Sequence, residues 1–315
     1  MTALSIVIPV YNGAASIEHL VHELARLHFP DGVELVLVND GSPDDSWSVI
    51  QRLCAAAPMP IIAIDLARNF GEHNAVMAGY AAASGAYIIN IDDDFQNPPS
   101  EVVKLFEHAR AHPELDVVYT RYEQKHHSLF RNLGSLFNDR MARFMIDKPK
   151  GLYLSSFRCV NRFLRDRIVG YTGPYPYIDG LILENTRRIG RLTVRHAPRV
   201  KGKSGYTLRK LVRHWMMMFV NFSVMPLRIS SLIGAVFSII GFLIAMVAVY
   251  EYFFKGTPQG WASIVSVVLV FAGIQLLTLG LIGEYLGRLY LMQRGKPQYA
   301  VRTTLVASTH ARPDE

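Results

Sequence analysis

Cysteine is scarce: Cys54 and Cys159 are the whole complement of the 315 residues. Two cysteines without metal-ligand spacing exclude a disulfide framework and a zinc ribbon. They leave the reducing cytoplasm as the expected compartment of the soluble part. Charge is scarce too, at 19 % of residues, against about a quarter in typical soluble domains. Half of the residues are apolar and mean hydropathy is +0.17. That balance excludes a disordered chain and argues against a wholly soluble one. Acidic residues are missing between Asn185 and Tyr250, where eleven Lys and Arg stand. The block exceeds the formal net charge of +7, so the remainder is mildly acidic. A basic block of this kind implies an anionic partner: nucleic acid, a phosphorylated ligand or a membrane surface.

Two stretches lack any charge, Ile229–Tyr250 with 22 residues and Trp261–Gly283 with 23. At ~1.5 Å per residue either helix is long enough for a ~30 Å hydrocarbon core. The connector between them is short and turns at 255–260, so an antiparallel hairpin is expected. Arg199, Lys201, Lys203, Arg209, Lys210, Arg213 and Arg228 flank it upstream, and Arg288, Arg294, Lys296 and Arg302 downstream. The positive-inside rule then places residues 1–228 and the tail on the cytoplasmic side. No signal peptide is expected, because the N-terminus has no charged n-region and its apolar run breaks at Pro9. Between 207 and 222, apolar residues recur at helical spacing with Arg209, Lys210 and Arg213 toward the other face. This reads as an interfacial amphipathic helix with Trp215 at headgroup level. A nucleic-acid partner is disfavoured, because the basic block abuts a span and carries no reading motif.

The first 120 residues alternate strand and helix. Strands are expected at 4–10, 33–40, 61–66, 87–92 and 116–120, and helices at 16–28, 44–57, 74–84 and 98–111. Continuously apolar strands with crossover helices predict an α/β fold with a mostly parallel sheet covered on both faces. Such sheets bind ligands beyond the carboxyl ends of their strands. What stands there is polar: Tyr11-Asn12, Asn39-Asp40-Gly41-Ser42, Arg68-Asn69-Phe70-Gly71, Asp92-Asp93-Asp94-Phe95-Gln96, and Thr120-Arg121-Tyr122. Neither a Gly-x-Gly-x-x-Gly after the first strand nor a complete Gly-x-x-x-x-Gly-Lys-Ser/Thr loop is present. That disfavours a dinucleotide oxidoreductase and a P-loop ATPase. Three adjacent carboxylates repel one another unless a cation compensates. Alternate Asp92 and Asp94, with the Gln96 carbonyl, are hard oxygen donors suited to Mg²⁺ or Mn²⁺.

IVIPVYN, VNDGS, RNFG and the Asp-x-Asp-x-Gln unit before Pro98-Pro99 resemble the family 2 glycosyltransferases of GT-A fold. With the hairpin and basic block, the chain resembles the polyprenyl-phosphate glycosyltransferases over nearly its whole length. GLYLSSFR, GPYPYIDGLIL, SGYTLRKL and RGKPQYAVR are most similar to the undecaprenyl-phosphate 4-deoxy-4-formamido-arabinose transferase branch. The resemblance implies a GT-A domain over 1–206, an amphipathic helix over 207–228, two membrane helices over 229–283 and a cytoplasmic tail over 284–315. It implies a bacterial inner-membrane enzyme, homo-oligomeric as a tetramer, that uses a nucleotide sugar, undecaprenyl phosphate and the bilayer. A processive polysaccharide synthase is the rival enzyme. It calls for more spans and a Gln-x-x-Arg-Trp motif, and the sequence has neither. A lipid-binding scaffold on an inactive transferase fold is the non-enzymatic rival, disfavoured by the intact Asp92, Asp94 and Gln96 set.

The resemblance also distributes roles. Pro9, Tyr11, Asp40, Arg68, Asn69, Asp92 and Asp93 are implied to hold the donor nucleotide. Asp92, Asp94 and Gln96 are implied metal ligands. Arg121, Arg131, Ser135, Lys201, Lys203, Ser204 and Tyr206 are implied to bind the acceptor phosphate. Asp92, Asp94, Arg121 and Asp179 form the candidate catalytic set, with Asp179 either a ligand of the sugar or structural. Three departures from the family pattern stand out. Gly13 occupies a position acidic in many relatives, with Glu18 as an alternative source of that contact. Gly205 replaces a lysine, with Lys201 or Lys203 as substitutes. Ser155-Ser156 precedes Phe157-Arg158 without the usual carboxylate. A phosphate monoester with a second pKa near ~6 attacks without a strong base, so that last departure need not remove catalysis.

Overall fold

The computed structural model describes residues 2–122, 148–195, 225–255, 260–293 and 295–307. The chain divides into two compact units, Met1–Gly205 with Lys296–Glu315, and Tyr206–Gly295. Arg131, Ser135, Lys201, Lys203, Ser204 and Tyr206 fall outside the described residues, as does the amphipathic segment 207–222.

The first unit begins with β1 (Leu4–Val10), α1 (Ile17–Ala25), β2 (Val33–Asn39), α2 (Ser46–Ala56) and β3 (Ile61–Leu66). It continues with α3 (Glu72–Ala82), β4 (Tyr87–Asn90), α4 (Ser100–Ala111) and β5 (Val117–Tyr122). Then follow β6 (Arg158–Asn161), α5 (Arg162–Val169), α6 (Ile178–Asn185) and β7 (Ile189–Val194). All strands, with β8 (Val301–Ala307), join one eight-stranded sheet of order β7-β5-β6-β4-β1-β2-β3-β8. Pairings β1–β2, β1–β4, β2–β3 and β5–β7 are parallel. Pairings β4–β6, β5–β6 and β3–β8 are antiparallel. The fold is therefore the expected α/β sandwich on a mixed sheet. Burial on both faces explains the unbroken apolar runs: Ile6, Ile8, Leu35 and Leu37 on one face and Val7, Val36, Val38 and Ile88 on the other have no accessible surface.

Three local features matter for the site. First, α3 starts at Glu72 rather than Asn74, after Gly71 turns with φ +94°. An acidic first-turn residue suits the positive end of a helix, and the earlier start brings Glu72 to the carboxyl edge of the sheet. Second, Ser16 stands before α1 without capping it through its side chain. Its hydroxyl instead donates to the Gly13 carbonyl, 3.1 Å away, and to Asp93 Oδ2, 3.3 Å away. Third, β6 lies between β4 and β5. That insertion sets Ser155-Ser156 beside the carboxyl end of β4, where the aspartate triplet begins.

The tail returns to this unit as β8 on the edge of β3. Arg302 Nη2 donates to the Ala67 carbonyl at 2.8 Å, and the Gln298 amide donates to the carbonyls of Tyr171 and Gly173 at 2.8 and 2.7 Å.

The second unit holds two long helices, α7 (Met225–Lys255) and α8 (Trp261–Gln293). They pair antiparallel. Ser230 Oγ donates to Thr278 Oγ1 at 3.0 Å, and Phe237 meets Phe271 edge-on at 6.3 Å. Among the described residues, Val270–Gln293 is the one segment long and apolar enough to cross a membrane by length and composition, with a shorter apolar stretch at Leu232–Leu243.

Candidate active site

At the carboxyl ends of β1, β2 and β4 lies a cleft of about 320 Å³. Pro9, Val10, Tyr11, Asp40, Asn69, Gly71, Glu72, Ala75, Asp92, Asp93 and Asp94 line it. Of the residues expected at a donor site, this gathers Pro9, Tyr11, Asp40, Asn69, Asp92, Asp93 and Asp94. Arg68, Gln96, Arg121 and Asp179 are not among the lining residues.

Backbone geometry explains much of the motif chemistry. Gly41 has φ +58°, and a Cβ there would stand 2.3 Å from the Arg68 carbonyl carbon and 2.5 Å from the Asn69 nitrogen. The Asp40-Gly41 turn thus needs glycine so that the Arg68-Asn69 backbone can close over it. Asp40, 3 % exposed, accepts from the amides of Phe70 at 2.7 Å and Gly71 at 2.9 Å. Its carboxylate therefore locks the RNFG loop to the end of β2 as well as facing the cleft. Burial raises its pKa even though those two amides and Arg68 pull the other way. Arg68 is exposed, stacks on the Phe70 ring with 4.1 Å to the centroid, and donates to the Asn69 carbonyl.

Gly13 has a comparable role. A Cβ there would stand 1.9 Å from Asp93 Oδ2. The space a side chain at position 13 would take is filled by the Asp93 carboxylate, which Ser16 also contacts. Glu18, the alternative source of an acidic contact, is exposed on α1 and does not line the cleft. Burial, then the neighbouring Asp92 charge, raise the Asp93 carboxyl to about 6. Phe95 follows with φ +58°, a conformation a bulky residue adopts only under constraint. Gln96 contributes its backbone N–H to Asp94 Oδ1 at 3.1 Å.

On the other flank, Ser156 Oγ donates to Asp92 Oδ2 at 2.6 Å, and Asn90 Nδ2 donates to the Ser156 carbonyl at 3.0 Å. Beneath them lies a buried ion pair between Arg158 and Asp179, 2 % and 8 % exposed. Tyr119 OH also donates to Asp179 Oδ1, at 2.7 Å, and Arg158 reaches the Ser155 carbonyl. Burial disfavours the charged guanidinium, but the Asp179 carboxylate together with Tyr80 and Tyr119 outweighs it and holds Arg158 charged. Asp179 thus sits in a structural network under the site. Arg121 is exposed near the end of β5.

Two residues of this region carry no role in the sequence reading. Arg158 figures there only as part of the Phe157-Arg158 landmark, and its pairing with Asp179 depends on a distant partner. Glu72 follows RNFG directly, so the polar run Glu72-His73-Asn74 at the end of β3 was the available signal. Its carboxyl is open to cleft solvent yet surrounded by protein. That low-dielectric setting first, then the Asp92 charge, raise it to about 7.

Among the described residues no three His, Cys, Asp or Glu side chains form a ready-made metal ligand set. Asp92 and Asp94 nevertheless offer hard oxygens in one cleft, with the Asp93 carboxyl between them in sequence. Such a donor set fits a divalent cation that takes its remaining ligands from a bound phosphate.

The family model described as Glycosyl transferase family 2 matches residues 5–171. The chain belongs to glycosyl transferase family 2. It is 35 % identical over 317 residues to an undecaprenyl-phosphate 4-deoxy-4-formamido-L-arabinose transferase of Pectobacterium carotovorum, covering 97 % of this chain and 94 % of the relative. Its counterpart from Yersinia enterocolitica is 36 % identical, with 96 % and 94 % covered. Among solved structures, glucosyl-3-phosphoglycerate synthase of Mycobacterium tuberculosis superposes with a TM-score of 0.51 at 18 % identity, covering 70 % of this chain and 78 % of that one. That likeness is one of fold. The present glycosyltransferase therefore carries its family's matched region through β1 to α5, and the cleft lies within it.

Proposed function

We propose that this glycosyltransferase moves a sugar from a nucleotide donor, UDP-linked, to undecaprenyl phosphate for a cell-envelope modification. The observation that carries the reading is the acidic cleft at the strand ends, in a chain matched over nearly its full length by transferases of that name. The nucleotide lies against Pro9, Tyr11, Asp40 and Asn69, with the diphosphate toward Asp92 and Asp94. These two carboxylates hold Mg²⁺ or Mn²⁺, which supplies charge neutralisation of the diphosphate when bound. The Mycobacterium tuberculosis synthase named above has also been solved with Mn²⁺ and UDP-glucose.

The acceptor is a phosphate monoester, largely dianionic at neutral pH, because its second pKa is near ~6. One of its oxygens forms the new bond to the anomeric carbon while the bond to the donor phosphate breaks and its electron pair leaves on the nucleoside diphosphate. A single displacement inverts the anomeric centre. No proton needs to be removed from the nucleophile, which agrees with Ser155-Ser156 standing where a base would be expected. This chain's contribution is orientation: Ser156 holds Asp92, the Asp40 carboxylate holds the RNFG loop, and Arg158, paired to Asp179, holds the Ser155 carbonyl beside Ser156.

The long helices anchor the enzyme in the bacterial inner membrane as a hairpin, with the catalytic unit and both termini cytoplasmic. Supporting this, Leu232, Phe242, Leu276 and Leu289 are more than half exposed on α7 and α8. A large apolar face on the outside of a helix pair suits contact with lipid.

The test is transfer itself. Membranes containing the full chain are incubated with Mn²⁺, undecaprenyl phosphate and a panel of UDP-sugars, and the lipid product is weighed by mass spectrometry. A glycosylated undecaprenyl phosphate from one or a few donors is expected. Transfer that proceeds equally well when undecaprenyl phosphate is replaced by a soluble acceptor would overturn the reading.

A further inference from the structure

The carboxylates around the cleft are unequal in what they already hold. Asp40 accepts two backbone amides, Asp92 accepts the Ser156 hydroxyl, Asp93 accepts Ser16, and Asp94 accepts the Gln96 amide. Asp179, below the floor, is paired to Arg158 and Tyr119. Glu72 lines the same cleft, and among the described residues its carboxylate has neither a hydrogen bond nor an ion pair. The charges that act on it are those of Asp92, Arg158, Asp179 and Asp94. Those belong to the β4–β6 side of the cleft, although Glu72 enters from β3. The reason is the crossover: α3 leaves β3 and runs back over β2 and β1 to reach β4, so its first turn overhangs the cleft. Ala75, one turn further on, lines the same wall and leaves room in front of the carboxylate.

We propose that Glu72 is a specificity-determining residue for the transferred sugar, accepting hydrogen bonds from hydroxyl or N–H groups of the ring. This rests on the nucleotide-sugar reading given above. If the nucleotide occupies the Tyr11–Asp40–Asn69 side and the diphosphate meets Asp92 and Asp94, the sugar extends into the space that Glu72 faces. A carboxylate there offers acceptors only, and a sugar offers donors. Donors on a bound sugar match those acceptors, whereas a sugar lacking them leaves a desolvated acceptor unmatched. Sites built to hydrogen-bond a substrate group discriminate strongly against analogues without it.

The experiment uses the full membrane-embedded chain as wild type, Glu72→Gln and Glu72→Ala. Affinity is measured for UDP, UDP-glucose and UDP-4-deoxy-4-formamido-L-arabinose, and kcat/KM is measured for both sugars. The expected result is UDP affinity within about twofold of wild type in both variants, with a loss of about tenfold or more in kcat/KM ratio between the two sugars in Glu72→Ala. Glu72→Gln, which keeps one acceptor and the shape, should fall between. An unchanged ratio in Glu72→Ala overturns the proposal. So does an equal loss of UDP and UDP-sugar binding, which would assign Glu72 to the nucleotide. A wild-type protein that binds no UDP and transfers neither sugar would instead bring down the nucleotide-sugar reading, and this proposal with it.

Discussion

In the sheet unit, Ile6, Ile8, Leu35 and Leu37 have no accessible surface, whereas Leu232, Phe242, Leu276 and Leu289 in the helical pair keep 66 %, 66 %, 70 % and 62 %. The same kinds of side chain are hidden in one unit and displayed in the other. In water, burial of such groups is the main favourable contribution to folding. The sheet unit follows that rule and puts its polar groups at the strand ends, where they face the cleft. The helical pair follows the opposite rule. Its interhelical contacts include a serine–threonine hydrogen bond and an edge-on phenylalanine pair, and Leu232, Leu243, Leu276 and Leu289 point outward. Composition alone therefore does not tell inside from outside. With the anchoring proposed above for the helical pair, the contrast becomes a division of labour, with chemistry in the sheet unit and membrane attachment in the other.

The sharpest way to break that division is to remove Asp94. Asp94→Ala takes one hard oxygen donor from the cleft and leaves the helical pair untouched. Transfer should fall by about two to three orders of magnitude, given what a single charge-stabilising group contributes to a transition state. Membrane fractionation should be unchanged. Activity near wild type would remove Asp94 from the metal site, and loss of the protein from membranes would show the two units to be coupled.

The converse substitution addresses the anchoring side. Leu276→Arg sets a charge on the most exposed part of α8, at a cost of about 2.5–3.5 kcal/mol if that position lies mid-membrane. The carbonate-resistant membrane fraction should drop, while UDP binding by the catalytic unit persists. Full retention in membranes would argue that this face of α8 is not in lipid.

How much of this was legible in the sequence differs between the two regions for a physical reason. The strands β1 to β4 were readable because each is a short apolar run closed by a turn, and the boundaries of β1 and β3 agree to the residue. Tyr11, Asp40, Asn69 and the aspartate triplet converge because ligand-facing groups of a parallel sheet stand at its carboxyl edge. Features that depend on distant pairing were not readable. The tail was expected to be a separate segment, yet β8 pairs with β3 across more than two hundred residues, and no local pattern records such a partner. β6 was missed as a strand, and with it the Ser156–Asp92 contact and the buried Arg158–Asp179 pair. Glu72 was missed through a two-residue error at a helix start, the least certain part of any sequence reading.

The smallest effect is expected at Ser156, and it separates orientation from base catalysis. The Ser156 hydroxyl already donates its proton to Asp92 at 2.6 Å. A group in that arrangement orients a carboxylate and is not poised to take a proton from the acceptor. Ser156→Ala removes one hydrogen bond to a charged group, which contributes about 1.5–3 kcal/mol when no substitute is available. Asp92 is only partly buried, so water in the open cleft replaces much of that contact. The rate constant should therefore fall less than about tenfold, with the pH profile unchanged. Adding a carboxylate by Ser156→Asp should not raise activity either, because it would face Asp92 with like charge. A Ser156→Ala enzyme that is inactive but folded, or a Ser156→Asp enzyme faster than wild type, would mean that the acceptor phosphate needs a base after all. The absence of a carboxylate at Ser155-Ser156 would then be a catalytic deficit and not a consequence of a nucleophile that arrives already ionised.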